Sequence, residues 1–151
     1  MSDNPGWAAW RGGMDEALTQ AFETLLWVGS CNGTATQAHS DPADCGGQDC
    51  DVNLDDLGFT ADNFAAGAGR EVEEDLHGFV TSCLAERPDC FAWCAEDPGQ
   101  VGHDFILTRN GHGAGFWDRG LGELGKWLTG MAKPFGSQNA YAHGEYIYVE
   151  G

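Results

Sequence analysis

Residues 102–119 read Gly-His-Asp-Phe-Ile-Leu-Thr-Arg-Asn-Gly-His-Gly-Ala-Gly-Phe-Trp-Asp-Arg. How this block folds decides the architecture. Its apolar run, residues 105–108, has the length of a buried strand, and Asn110-Gly111 is a strong two-residue turn signal. The reading predicts strand, turn and returning strand, with residues 114–117 as the second arm. The block also gathers polar groups: His103 and His112 stand beside Asp104, Asp118, Arg109 and Arg119. Such crowding serves either a chemical site or a turn whose side chains tie the backbone down.

Upstream of the block the pattern is helical. Ala17, Leu18, Ala21, Phe22, Leu25 and Leu26 recur at spacings of three and four, and Asp15 and Glu16 suit a first turn. The first residues are Gly- and Trp-rich without a period, so residues 1–14 are expected as a flexible arm and residues 15–151 as one domain. Residues 29–53 hold almost no large apolar side chain and read as a long loop. A short helical or turn-like segment follows, anchored by Leu54, Leu57, Phe59 and Phe64. A second helix is expected over about 70–86, with Val72, Leu76, Phe79, Val80 and Cys83 on one face. Gly78 sits within it at a cost that helix propensity does not explain.

Pro88 opens a short helix through 95, which Pro98-Gly99 ends. Downstream, Leu121, Leu124, Leu128 and Met131 mark a helix over 120–132, stopped by Pro134. A final hairpin is expected over 140–149, turning at His143-Gly144. Helices first, then strands with one helix inserted, define an α+β fold, its amino-terminal helices packed on a small carboxyl-terminal antiparallel sheet.

The chain is 151 residues long and carries 24 acidic against 7 basic residues, a formal net charge of -17. Residues 1–104 hold 20 Asp or Glu and three Lys or Arg, while residues 105–151 hold four of each sign. The negative field therefore arises in the first two thirds. It opposes direct binding to nucleic acid or to an anionic membrane and favours basic protein surfaces. No apolar run is long enough for a membrane span, and the amino terminus lacks the features of a secretory signal, which predicts a cytoplasmic protein.

His103, Asp104, His112 and Asp118 form a candidate metal or acid–base cluster. Against it, neighbouring strand residues face opposite ways, and the spacing matches no established metal signature. Cys45 with Cys50 and Cys90 with Cys94 come near a zinc-binding spacing without fitting it, and Cys31 lies in the same loop; reduced, unligated thiols are the leading expectation. Gly111, Gly113 and Gly115 superficially suggest a phosphate loop, but no lysine accompanies them. No catalytic residue, metal or cofactor is assigned.

The 102–119 block resembles a family of small acidic proteins, without assigned function, found widely in tailed bacteriophages. The likeness extends over about residues 15–150: the aromatic end of the first helix, an acidic variable loop, the segment from Val52 to Phe64, the acidic helix from Glu71 to Cys83, and the closing hairpin. This chain departs from it in the cysteine-rich loop of residues 31–50 and in Cys90-Phe-Ala-Trp-Cys94. The resemblance implies a phage accessory protein acting in the cytoplasm of an infected bacterium, and it carries over no catalytic residue.

The leading expectation is therefore a non-enzymatic protein that modulates a host or defence protein by presenting an acidic, nucleic-acid-like surface to a basic groove. The residues expected to carry it are Asp51, Asp55, Asp56, Asp62, Glu71, Glu73, Glu74 and Asp75. The alternatives are a metal-binding or hydrolytic protein using His103, Asp104, His112 and Asp118, and a virion or assembly component. Oligomeric state is left open.

Overall fold

Helix α1, Met14–Val28, forms where the apolar spacing places it, with Asp15 and Glu16 in its first turn. Ala17, Ala21 and Leu25, one turn apart, are fully buried. The computed structural model describes residues 10–28, 54–55, 58–94, 96–111, 115–143 and 145–150. The tie to the core begins at Trp10, inside the segment expected as an arm: its ring packs 5.1 Å from Phe91 and is buried.

The central correction concerns the opening block. Residues 99–110 are not a strand but a helix, α3, Gly99–Asn110. The expected second arm is a single 3-10 turn, Phe116–Asp118. A short apolar run cannot by itself distinguish a buried strand from a buried helix, and here the run is enclosed on all sides. Val101, Gly102 and every residue from Asp104 to Arg109 are buried. A helix surrounded in this way needs no amphipathic stripe. Pro98 stands immediately before it, so the proline opens this helix instead of closing the previous one. Asn110-Gly111 does stop the chain direction, but as a helix end: Gly111 adopts φ 71° and ψ 22°, the left-handed carboxyl cap.

Helix α2, Ala66–Glu86, is longer than expected and begins before Gly67 and Gly69. Just upstream, Ala61–Asn63 forms a 3-10 turn closed by reciprocal hydrogen bonds between Thr60 and Asn63. Ala65 then donates its N–H to the Ile147 carbonyl at 2.9 Å, fixing this entry to the carboxyl-terminal sheet. Gly78 has open room: a Cβ there would touch only the Phe135 ring, at an ordinary 3.8 Å. The helix expected from 88 to 95 is replaced by turns and one 3-10 turn, Ala92–Cys94.

Helix α4, Glu123–Ala132, ends in the 3-10 turn Lys133–Phe135. Strands β1, Asn139–His143, and β2, Tyr146–Glu150, pair antiparallel, with Ala142 opposite Ile147. Ala140, Ala142 and Ile147 face the core, and Tyr141 and Tyr148 stack 5.7 Å apart. The fold is α+β, mostly helical with this two-stranded sheet at its carboxyl end.

At the centre Phe79 of α2 stacks on Phe105 of α3 at 4.6 Å and lies 5.6 Å from Phe116. The Phe135 ring meets Phe105 edge-on at 5.3 Å. Helices α1 and α3 approach so closely that a Cβ at Gly102 would fall 1.8 Å from the Ala17 carbonyl oxygen. Only glycine fits that crossing. No helix is long and apolar enough to cross a membrane among the described residues.

Candidate functional site

Two groups of polar residues depend on α3, and they serve different ends. The first is internal. Asp104 has no exposed surface, and its carboxylate accepts from Arg119 Nε at 2.8 Å and Nη2 at 2.6 Å, and from Gln100 Nε2 at 2.9 Å. The carboxylate in turn holds the Arg119 guanidinium above its usual pKa, chiefly through these hydrogen bonds. Arg109 is the second knot. It donates to the Gly136 carbonyl at 2.7 Å, the Phe135 carbonyl at 3.0 Å and Gln138 Oε1 at 3.1 Å. Its Nη1 also lies 3.0 Å from the Asp75 carboxylate on α2. Burial pulls its pKa down, and Asp75 opposes that pull. Thr108 Oγ1 accepts from the Phe116 N–H at 3.2 Å, and Asn110 Oδ1 from the Gln138 N–H at 2.6 Å.

These bonds determine the fate of the expected acid–base cluster. His103 and Asp104 are adjacent on a helix, so their side chains leave the axis about 100° apart. Asp104 is committed to Arg119, whereas His103 turns towards α1. Asp118 is exposed in its 3-10 turn, and His112 lies outside the described residues. No three His, Cys, Asp or Glu side chains converge as a ligand set among the described residues. Cys83, Cys90 and Cys94 are buried free thiols. Burial pushes Cys94 up to about 12, and Cys83 is raised first by its hydrogen bond with Cys90 and then by burial. The loop cysteines Cys31, Cys45 and Cys50 lie outside the described residues.

The second group lines a surface cleft of about 390 Å³ between α1 and a facing segment that contributes Asp55, Phe59, Thr60 and Ala61. His103 forms part of its wall, and its Nδ1 lies 2.8 Å from Thr24 Oγ1. Burial lowers the His103 pKa; Asp104 and Asp97 oppose the shift, and Arg119 reinforces it. The shift favours the neutral imidazole, whose Nδ1 shares one hydrogen bond with the Thr24 hydroxyl. The Trp27 ring lies 6.0 Å from the His103 ring, yet 51% of the residue remains exposed. Phe59 lies half-buried in the wall, and Glu23 and Asp55 add exposed carboxylates from α1 and from the facing segment.

Of the acids expected to bind a partner, Asp55, Asp62, Glu71, Glu73 and Glu74 are exposed. Asp75 differs: it is half-buried and already neutralises Arg109. Asp51 and Asp56 lie outside the described residues. The sequence reading did not single out Glu23, Trp27, Phe59 or Thr60 as site residues; they meet only where Asp55 and Phe59–Ala61 face α1. Trp27 carried a signal nonetheless, since a large aromatic at the exposed end of an amphipathic helix needs a partner or a purpose. No protein-family model, curated protein or solved structure matches the chain.

Proposed function

We propose that this chain is a non-enzymatic binding protein that presents an acidic, nucleic-acid-like face to a basic surface on a protein partner. One observation carries the reading. Glu71, Glu73 and Glu74 on α2, with Asp55 and Asp62 before it, are all exposed, whereas Asp75 and Asp104 are taken up by Arg109 and Arg119. With a net charge of -17, such a surface steers basic partners in and repels nucleic acid. The polar block at 102–110 contributes by holding the helices that display these acids. The resemblance to small acidic phage proteins suggests a host defence or DNA-processing enzyme as the partner.

The test is salt. A partner captured from bacterial lysate at about 0.1 M salt should be released near half-molar, as the screening length falls from about 10 Å to a few ångströms. Duplex DNA should compete for the same partner, and Glu71→Gln/Glu73→Gln/Glu74→Gln should weaken capture. A partner that stays bound unchanged at half-molar salt sinks the reading.

A further inference from the structure

We propose that the cleft between α1 and the segment bearing Asp55 and Phe59 is an anchor site for one guanidinium or ammonium group, the side chain by which a basic partner is gripped. The inference rests on the acidic-face reading and gives it a specific contact point. The cleft, at about 390 Å³, falls within the roughly 300–1,000 Å³ of ordinary ligand pockets. Its chemistry is selective. Trp27 and Phe59 supply aromatic surface, and a cation over an indole is the strongest such pairing among aromatic side chains. Glu23 and Asp55 bring two carboxylates from opposite sides of the cleft, and Thr60 adds a hydroxyl. An apolar guest would leave both carboxylates partly desolvated without a partner, and an anionic guest would be repelled. A flat basic group on an alkyl stem meets every wall.

Three of the chain's seven basic side chains are already held elsewhere. Arg109 and Arg119 are engaged in internal ion pairs, and Arg87 lies over the Trp127 ring at 4.6 Å. Residues 29–53, which connect the two sides of the cleft in sequence, contain no lysine or arginine. His103 adds no competing positive charge near neutral pH, because burial lowers its pKa.

The experiment titrates the full chain with N-acetyl-arginine methylamide and its uncharged isostere, N-acetyl-citrulline methylamide, following the Trp27 indole and His103 ring signals by NMR. The arginine compound should shift both signals saturably and the citrulline compound neither. Glu23→Gln/Asp55→Asn should weaken binding roughly tenfold, the loss expected when a cation loses its counter-charges beside an aromatic face. Glu71→Gln/Glu73→Gln/Glu74→Gln should leave it nearly unchanged. All these side chains are exposed, and thermal unfolding of each variant verifies its fold. An equal response to citrulline, no saturable response, or a response centred on α2 overturns the cleft. A polybasic peptide that still binds with steep salt dependence in that event would remove the anchor while leaving the acidic-face reading standing.

Discussion

Arg119 grips Asp104 with two nitrogens, at 2.8 Å and 2.6 Å, across the loop that follows α3. The carboxylate is wholly buried while the guanidinium is partly open to solvent. Removing either partner has unequal consequences. Arg119→Leu leaves a buried carboxylate held by Gln100 alone and is expected to cost about 3–5 kcal/mol. The double variant Asp104→Leu/Arg119→Leu should recover much of that loss, since a buried pair is often replaceable by apolar volume. Denaturant titration of the two variants checks it, and a double variant no more stable than Arg119→Leu would refute the ion-pair account.

Arg109 joins α3 to α2 and to residues 135–138. Arg109→Met should cost about 3–5 kcal/mol, because it strands Asp75 and leaves two backbone carbonyls without their donor. Asp75→Asn should cost less, since the guanidinium it leaves keeps its acceptors at Phe135, Gly136 and Gln138. Similar losses for the two variants in urea unfolding would show that the hydrogen bonds to residues 135–138 matter little.

Two helical glycines should respond in opposite directions. Gly102→Ala drives a methyl into the Ala17 carbonyl oxygen, and overpacking at such a crossing is expected to cost about 3 kcal/mol or more. Gly78→Ala places its methyl in ordinary contact with Phe135 and should stabilise the chain by about 0.5–1 kcal/mol through helix propensity. Thermal midpoints decide. A destabilised Gly78→Ala would mean that the Phe135 contact is tighter than it stands.

His103 predicts a pH dependence of known sign. Burial depresses its pKa in the folded chain, so the unfolded chain binds the proton more readily. The contribution to stability is full above the ordinary histidine value of about 6.5 and is lost as pH falls through the depressed folded value. Comparing thermal midpoints of the parent and His103→Gln across this window isolates the effect; a parent that gains stability relative to His103→Gln on acidification contradicts it.

Much of this architecture was readable in the residues, for a physical reason. Helices α1, α2 and α4 each bury one side and expose the other, so their apolar residues recur at helical spacing. The hairpin from 139 to 150 likewise alternates, with Ala140 and Ala142 inward and Tyr141 between them. Helix α3 failed that test because its residues 104–109 are all buried and so leave no pattern. Its delimiters were present, a proline before and a glycine after, but Asn110-Gly111 suits a hairpin turn and a left-handed helix cap equally. The site was legible only in part. His103 and Asp55 stood out by residue type, whereas Glu23, Trp27 and Phe59 acquire meaning from docking. Asp75 looked like one more surface acid because nothing local announces Arg109 as its partner.

The position of α3 also sets when the domain can become whole. A chain leaves the ribosome amino end first, so α1 and α2 emerge while the helix that packs against both of them is still being made. Even once α3 is out, Arg109 has only Asp75 to meet. Its remaining acceptors, at Phe135, Gly136 and Gln138, follow 26 to 29 residues later. Until then Arg109 lacks three acceptors and Phe105 lacks the edge of the Phe135 ring. Completion thus waits for residues 135–138, and a ribosome stalled before residue 135 would hold a chain whose α3 still lacks those partners.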